Sequence, residues 1–216
     1  MAAPRAVIFD LDGTLADSLA DIAASTNACL AEAGLPTHDA ATVRSFVGGG
    51  IGMLVERALG PHATPQNTER LLAAIRSHYA EHCTDETRLY DGVEATLARL
   101  DAQDVRLGVV SNKPDGMTQH MVATLMPSVP FGFVTGERPD IPRKPDPTGI
   151  LTACSTLGVP PSAAIYVGDT AVDVEASRAA GLRSVAVAWG FRDRSVLAAA
   201  KPDHLIDHPR DLLPLV

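Results

Sequence analysis

Aromatic side chains are scarce in this sequence, with one Trp, three Tyr and five Phe in 216 residues, so any core it builds is mainly aliphatic. Positive charge is also short: 18 Lys and Arg stand against 26 Asp and Glu, a formal net charge of −8. That balance argues against general binding to nucleic acid or to anionic membranes. It leaves open a small anionic ligand, which needs only local positive charge. The three cysteines, Cys29, Cys83 and Cys154, are odd in number, widely spaced and form no CxxC pair. Free thiols of a reducing compartment are expected rather than a disulfide framework. No apolar run approaches the length that spans a bilayer, and the opening Met-Ala-Ala-Pro-Arg lacks the apolar core of a signal peptide. The expectation is a cytoplasmic protein without membrane contact, a monomer or homodimer. Internal repeats and low-complexity stretches are absent too.

Hydrophobic residues nevertheless make up 46% of the chain, whose 216 residues suffice for one core and a smaller second unit. The stretch that organises them is Val7-Ile8-Phe9-Asp10-Leu11-Asp12-Gly13-Thr14. Its apolar run reads as a buried strand, broken by Gly-Thr. Side chains of an extended chain alternate, so Asp10 and Asp12 share a side. Two like charges that close are unfavourable without a cation, a donor or a shared proton between them. A Mg²⁺-dependent phosphoryl site supplies that offset; a purely structural role does not.

After Thr14 the pattern turns helical. Leu19, Ile22, Ala23, Cys29, Leu30 and Ala33 fall on one face, with Asp17 or Ser18 as N-cap and Gly34 past the end. Further helices are expected over 40–46, 53–59 and 65–83, the last turning Leu71, Leu72, Ile75 and Tyr79 inward. No strand is expected between 15 and 88. Residues 16–88 therefore read as an all-helical cap subdomain inserted into a core of residues 1–15 and 89–216. From Tyr90 a different rhythm begins: helix 93–100, strand 106–110 ending in Ser111-Asn112, a helix from 114 and strand 131–135. Helix 148–157 follows, opened by Asp146 as N-cap and Pro147 as its first residue, then strand 164–167, helix 170–180 and strands 184–188 and 204–206. This alternation predicts an α/β protein with a Rossmann-like, doubly wound parallel sheet and helices on both faces.

Asp10 and Asp12, Ser111 and Asn112, Lys144, and Asp169 and Asp173 share one feature. Each group falls just past an apolar strand or just before a helix, and in a parallel sheet such ends converge on one edge. His78 and His82 lie four apart on one helix, a spacing that suits a metal, but they adjoin the Leu71–Ile75 stripe and read as packed surface.

In order and spacing, Asp10-Leu-Asp-Gly-Thr, Ser111, Lys144 and Gly168-Asp169-Thr-Ala-Val-Asp173 resemble the haloacid dehalogenase superfamily over essentially the whole chain. The resemblance implies a Mg²⁺-dependent phosphomonoester hydrolase. Asp10 would be the nucleophile that becomes an aspartyl-phosphate, and Asp12 the general acid and then base. Mg²⁺ would take the Asp10 carboxylate, the Asp12 backbone carbonyl and Asp169. Ser111, Asn112 with the adjoining N–H groups, and Lys144 would hold the phosphoryl oxygens. Thr14 and Asp173 would stand behind these residues and orient them.

Within the superfamily, Val43-Arg-Ser-Phe-Val-Gly-Gly-Gly, Gly108-Val-Val-Ser-Asn-Lys-Pro and Arg143-Lys-Pro-Asp-Pro are similar to phosphoglycolate phosphatases. The implied substrate is a small phosphorylated metabolite, 2-phosphoglycolate first. A sugar phosphate such as N-acetylmuramate 6-phosphate, or a broad substrate range, is the alternative. The loop Gly48, Gly49 and Gly50 would close over the substrate with its N–H groups, and Arg44 would pair with a substrate carboxylate. Dehalogenases lack the second acid, present here as Asp12. Phosphonoacetaldehyde hydrolases need a cap lysine, whereas the only lysines are Lys113, Lys144 and Lys201. Phosphosugar mutases place a His early in the first cap helix, where this chain has Ser18-Leu-Ala-Asp-Ile. A non-catalytic phosphate-sensing module of the receiver type would put its phospho-accepting Asp on a later strand, with no insertion after the first.

Overall fold

In a computed structural model describing residues 4–216, strand β1 (Ala6–Phe9) is buried along its whole length. It continues into a turn made possible by Gly13, whose φ of +81° suits only glycine comfortably. A two-residue strand β2 (Ala16–Asp17) follows and pairs antiparallel with β3 (Arg88–Leu89), so the chain leaves and re-enters the sheet through one short ladder. Four helices fill the interval: α1 (Leu19–Glu32), α2 (Ala40–Phe46), α3 (Ile51–Leu59) and α4 (Pro65–His82). Local chemistry starts two of them. Asp39 accepts the Thr42 N–H at 2.8 Å ahead of α2, and Thr64 accepts the Asn67 N–H at 3.2 Å ahead of α4, with Pro65 at the first position.

The remainder alternates strand and helix: α5 (Val93–Asp101), β4 (Arg106–Pro114), α6 (Asp115–Leu125), β5 (Phe131–Glu137), α7 (Thr148–Thr156), β6 (Ala164–Gly168), α8 (Ala171–Ala180), β7 (Arg183–Val187), α9 (Arg194–Ala199) and β8 (His204–Ile206). Six strands form one parallel sheet in the order β5-β4-β1-β6-β7-β8. The period-two alternation of β1 divides the core. Val7 and Phe9 pack with apolar residues of α5 and α6, whereas Ala6 and Ile8 pack with those of α7 and α8. This is the predicted doubly wound architecture. Its strand order reverses beside β1, where ligand crevices form at the carboxyl ends of strands.

Three details differ from the sequence expectations. The stretch 15–88 does contain a strand, β2, which is too short for a hydrophobic period to reveal. β4 runs on to Pro114 instead of ending at Val110, through a register shift against β5 between Val110 and Pro114. α7 begins at Thr148 as expected, but Pro147 takes the N-cap position expected of Asp146, whose Oδ1 instead accepts the Thr148 N–H at 2.9 Å. Among the described residues, no helix is long and apolar enough to cross a membrane.

The insertion is fastened to its own base by a buried carboxylate. Asp21 on α1 accepts the Glu86 N–H at 3.0 Å, the Thr87 N–H at 2.9 Å and the Thr87 hydroxyl at 2.7 Å. Asp21→Ala strands these donors away from water, which costs about 3 kcal/mol. The expected result is a melting temperature roughly 5–10 °C lower by circular dichroism.

Candidate active site

The strand ends bring together the residues singled out in the sequence. Asp10 follows β1, and Asp169 follows β6, the strand hydrogen-bonded beside it. Lys144, from the loop before α7, places its ammonium 2.9 Å from Asp10 Oδ1, 2.7 Å from Asp173 Oδ1 and 2.8 Å from the Tyr166 hydroxyl. Tyr166 donates in turn to the Val110 carbonyl at 2.7 Å. Asp173 Oδ2 accepts from the Thr170 N–H at 3.0 Å and from its hydroxyl at 2.7 Å, so this acid both caps α8 and aims Lys144.

Electrostatics here are dominated by burial. Asp10, pushed up to about 6, feels desolvation first; Lys144 opposes that effect, and the Asp173 and Asp12 charges reinforce it. Asp169 is raised well above the usual carboxylate range by burial and then by Asp173 and Asp10, although the Phe191 N–H donates to its Oδ2 at 2.7 Å. Burial alone would depress Lys144, but Asp10, Asp173 and the Tyr166 hydroxyl outweigh it and hold the lysine well above its ordinary value. One ammonium therefore balances three buried acids, and the cluster is short of positive charge.

Ligand oxygens of Asp10, Asp169 and Asp173 lie within 4.8 Å of one another. Asp10 Oδ1 faces Lys144 as a charge, outside hydrogen-bond geometry, and together with Asp169 Oδ1 and Thr14 Oγ1 it is buried without a donor. Orphaned carboxylate oxygens in an all-oxygen, net-negative nest fit a hard divalent cation such as Mg²⁺. Glycines keep the nest compact. A Cβ on Gly13 or on Gly190 would overlap the Asp169 carboxylate.

Asp12 stands apart from that cluster, facing the helical layer. Its Oδ1 accepts the Ser18 hydroxyl at 2.6 Å, and both carboxylate oxygens lie 2.9 Å from Lys113 Nζ. Ser18 occupies the N-cap position of α1, but its hydroxyl serves Asp12, and Asp17 Oδ1 is the side-chain atom that accepts an N–H of the helix start, that of Leu19 at 3.4 Å. Ser111 lines the same space and accepts the Lys113 N–H at 3.3 Å. Asn112 also lines this space, but its side chain is not free for a phosphoryl oxygen. Its side chain is spent on the Lys144 N–H at 2.7 Å, the Lys144 carbonyl at 3.1 Å and the Gly48 carbonyl at 3.2 Å.

A cavity of about 70 Å³ lies over these groups, between the sheet edge and the helical insertion. Asp10, Asp12, Ser111, Lys113 and Asp169 form its floor, and Ile22, Val47, Ile51, Leu54, Ile75 and Tyr79 much of its roof. Gly48 and Gly50 reach the wall, but the glycine loop meets the core through its carbonyls: Arg143 donates to the Gly49 carbonyl at 3.0 Å, as Asn112 does to Gly48. Arg44 does not line the cavity, because its guanidinium donates to the Gly190 carbonyl at 2.9 Å. Arg192 returns the contact, donating to the Arg44 carbonyl at 2.8 Å and to the Val47 carbonyl. His78 pairs with the Ser25 hydroxyl at 3.0 Å and His82 with Asp85 at 2.8 Å.

None of Lys113, Tyr79 and Tyr166 is expected in the site from the sequence. The signal for Lys113 was its place two residues after Ser111, which puts both on one side of an extended chain. Reading β4 as ending at Val110 hid it.

The chain belongs to the haloacid dehalogenase-like hydrolases, whose family pattern matches residues 7–187. It is 37% identical over 216 residues to an N-acetylmuramic acid 6-phosphate phosphatase of Pseudomonas aeruginosa, covering 97% of this chain and 93% of that protein. It is 36% identical over 216 residues to a phosphoglycolate phosphatase of Pseudomonas putida, covering 98% of this chain and 79% of that one. A crystal structure of a candidate phosphoglycolate phosphatase from Lactobacillus delbrueckii subsp. bulgaricus superposes with a TM-score of 0.93 at 29% identity, covering 98% and 97% of the two chains.

Proposed function

We propose that this protein is a cytoplasmic phosphatase that hydrolyses a small phosphomonoester at Asp10, with 2-phosphoglycolate as its first substrate. The observation that carries the reading is one small cavity lined by Asp10, Asp12, Ser111 and Asp169, with the Lys144 ammonium 2.9 Å from Asp10. Asp10 attacks phosphorus while the bond from phosphorus to the ester oxygen breaks, and Asp12 gives its proton to the departing alkoxide. The Asp12 carboxylate then takes a proton from water as that water attacks the phosphoryl group on Asp10, and inorganic phosphate leaves. Lys144 and Ser111 hold phosphoryl oxygens as their charge grows. Asp10, the Asp12 carbonyl and Asp169 would hold Mg²⁺, which when bound neutralises charge between the nucleophile and the phosphate.

Residues 16–88 act as a cap over the core of 1–15 and 89–216, hinged at the β2–β3 ladder. Guanidinium and amide groups on backbone carbonyls make many of its polar contacts with the core, beside the Lys113–Tyr79 and Ser18–Asp12 pairs, and water can replace them when the cap opens. Cavity size supports the small substrate. A buried water needs about 10–15 Å³ of such space, so 70 Å³ takes a handful of waters, the scale of a phosphoryl group and a two-carbon acid. N-acetylmuramate 6-phosphate is the second reading, favoured by the 37% identical relative, and it would require the cap to stand open.

Phosphate release from both esters, with Mg²⁺ and with EDTA, tests this. The expected outcome is Mg²⁺-dependent turnover with kcat/KM for 2-phosphoglycolate at least about tenfold above that for the amino sugar. The reverse order selects the second reading, and release from neither ester or any other phosphomonoester sinks both.

A further inference from the structure

Lys113 is a buried lysine in the cavity wall, with only 6% of its surface exposed, and the reaction just described gives it no task. It is also the one basic side chain lining that cavity among the described residues. Its three donors are fully used: two point to Asp12 at 2.9 Å each and one to the Tyr79 hydroxyl at 2.7 Å. The ammonium also lies 4.4 Å from the Tyr79 ring centroid. The neighbouring roof is apolar, so no other group there is ready to pair with a charge.

Such an arrangement conflicts with catalysis unless something changes. With both carboxylate oxygens on Lys113 and one also on Ser18, Asp12 cannot reach a leaving oxygen without giving up part of this pairing. A buried ammonium that loses half its counter-charge is unfavourable. Hydrogen-bond lengths put Lys113 Nζ on the order of 5 Å from an ester oxygen served by Asp12. A carboxylate one carbon away from that oxygen spans this gap.

Building on phosphomonoester hydrolysis at Asp10, we propose that Lys113, with the Tyr79 hydroxyl, is the specificity-determining subsite for a carboxylate on the leaving group. The substrate carboxylate replaces Asp12 on the ammonium, and Asp12 takes a proton from solvent as it turns to the ester oxygen, which then receives that proton. An ester without that carboxylate leaves Lys113 short of a partner and is cleaved poorly. The site thus selects phosphorylated 2-hydroxy acids by charge, with a cation supplied from the core instead of from Arg44.

The test compares 2-phosphoglycolate with its neutral isostere 2-phosphoglycolamide in the Mg²⁺-loaded wild type, Lys113→Met and Tyr79→Phe. Loss of a charge-assisted contact corresponds to about 100-fold, so the wild type should prefer the acid by about that factor in kcat/KM. Lys113→Met should bring the ratio close to one, chiefly by raising KM for the acid. Tyr79→Phe, which removes one oxygen and keeps the ring, should lower the ratio about five- to tenfold and covers the case of a misfolded lysine variant. A wild type that cleaves both esters equally, or a ratio that survives in both variants, overturns the subsite and leaves the hydrolase reading standing. A wild type that cleaves neither ester overturns this proposal, and activity on other phosphomonoesters then decides the hydrolase reading separately.

Discussion

Asp10→Asn is expected to lower kcat on any phosphomonoester by about 10⁴-fold or more while leaving the protein folded. The amide keeps the shape of the carboxyl group but lacks the anionic oxygen that must bond to phosphorus. Stability is the decisive second readout. In the metal-free protein burial pushes Asp10 up to about 6, against an ordinary value of 3.8. The folded state therefore binds an extra proton between these values, and its stability falls as pH rises through that window. Two units correspond to about 3 kcal/mol, present below pH 4 and lost above pH 6. An amide does not titrate, so Asp10→Asn should be at least as stable as the wild type at pH 7.5 in EDTA. Urea midpoints at pH 4.5 and 7.5, read beside the turnover assay, separate a chemical loss from a folding loss. A variant that is inactive because it is unfolded would show the opposite order of midpoints at pH 7.5.

The parts of this arrangement that could be read from the sequence are those that fall at the ends of strands. The four-residue apolar β1 announces itself by composition, and Asp10 and Asp12 follow it at once. Lys144 is flagged by Pro145, and Asp169 by the strand–Gly–Asp–helix punctuation. Their convergence follows from parallel topology alone. What the sequence hides is set by partners distant in the chain. Asn112 looks like a phosphate ligand, but Lys144 and Gly48, 32 and 64 residues away, take its side chain. Arg44 looks free for a substrate, yet the Gly190 carbonyl, 146 residues on, claims it. Lys113 was obscured by a local matter, a strand that continues through a register shift beyond its apolar run. Its role depends on Tyr79, which the helical period marks only as an inward-facing residue of α4. Periodicity tells that a side chain is buried; it does not tell which polar atom meets it.

Lys144→Met carries the other large effect, and its pH dependence has a definite sign. Among the described residues, Lys144 is the only ammonium within 2.9 Å of Asp10 and Asp173, and it is itself buried. Removing one partner of a buried charge cluster destabilises by about 3–5 kcal/mol. Without the lysine, the influence that holds Asp10 down is gone, while desolvation and the neighbouring acids still push it up. Its pKa therefore lies higher in the variant than in the wild type. For a carboxyl group raised in the folded state, stability is present at low pH and lost as pH climbs through the folded value. The variant and the wild type should thus have similar urea midpoints near pH 4 and diverge most at pH 8, both in EDTA. Millimolar Mg²⁺ should narrow the gap at pH 8, because a cation bound at Asp10 and Asp169 restores part of the missing counter-charge. It should not restore turnover, which is expected to stay about 10³-fold down for want of the donor on the phosphoryl oxygens. Lys144→Arg should fare little better, since a planar guanidinium cannot copy a point charge shared among Asp10, Asp173 and Tyr166. Equal destabilisation of Lys144→Met at pH 4 and pH 8 would mean that the lysine stem packs the site without balancing its charge, and the electrostatic account of this cluster would fail.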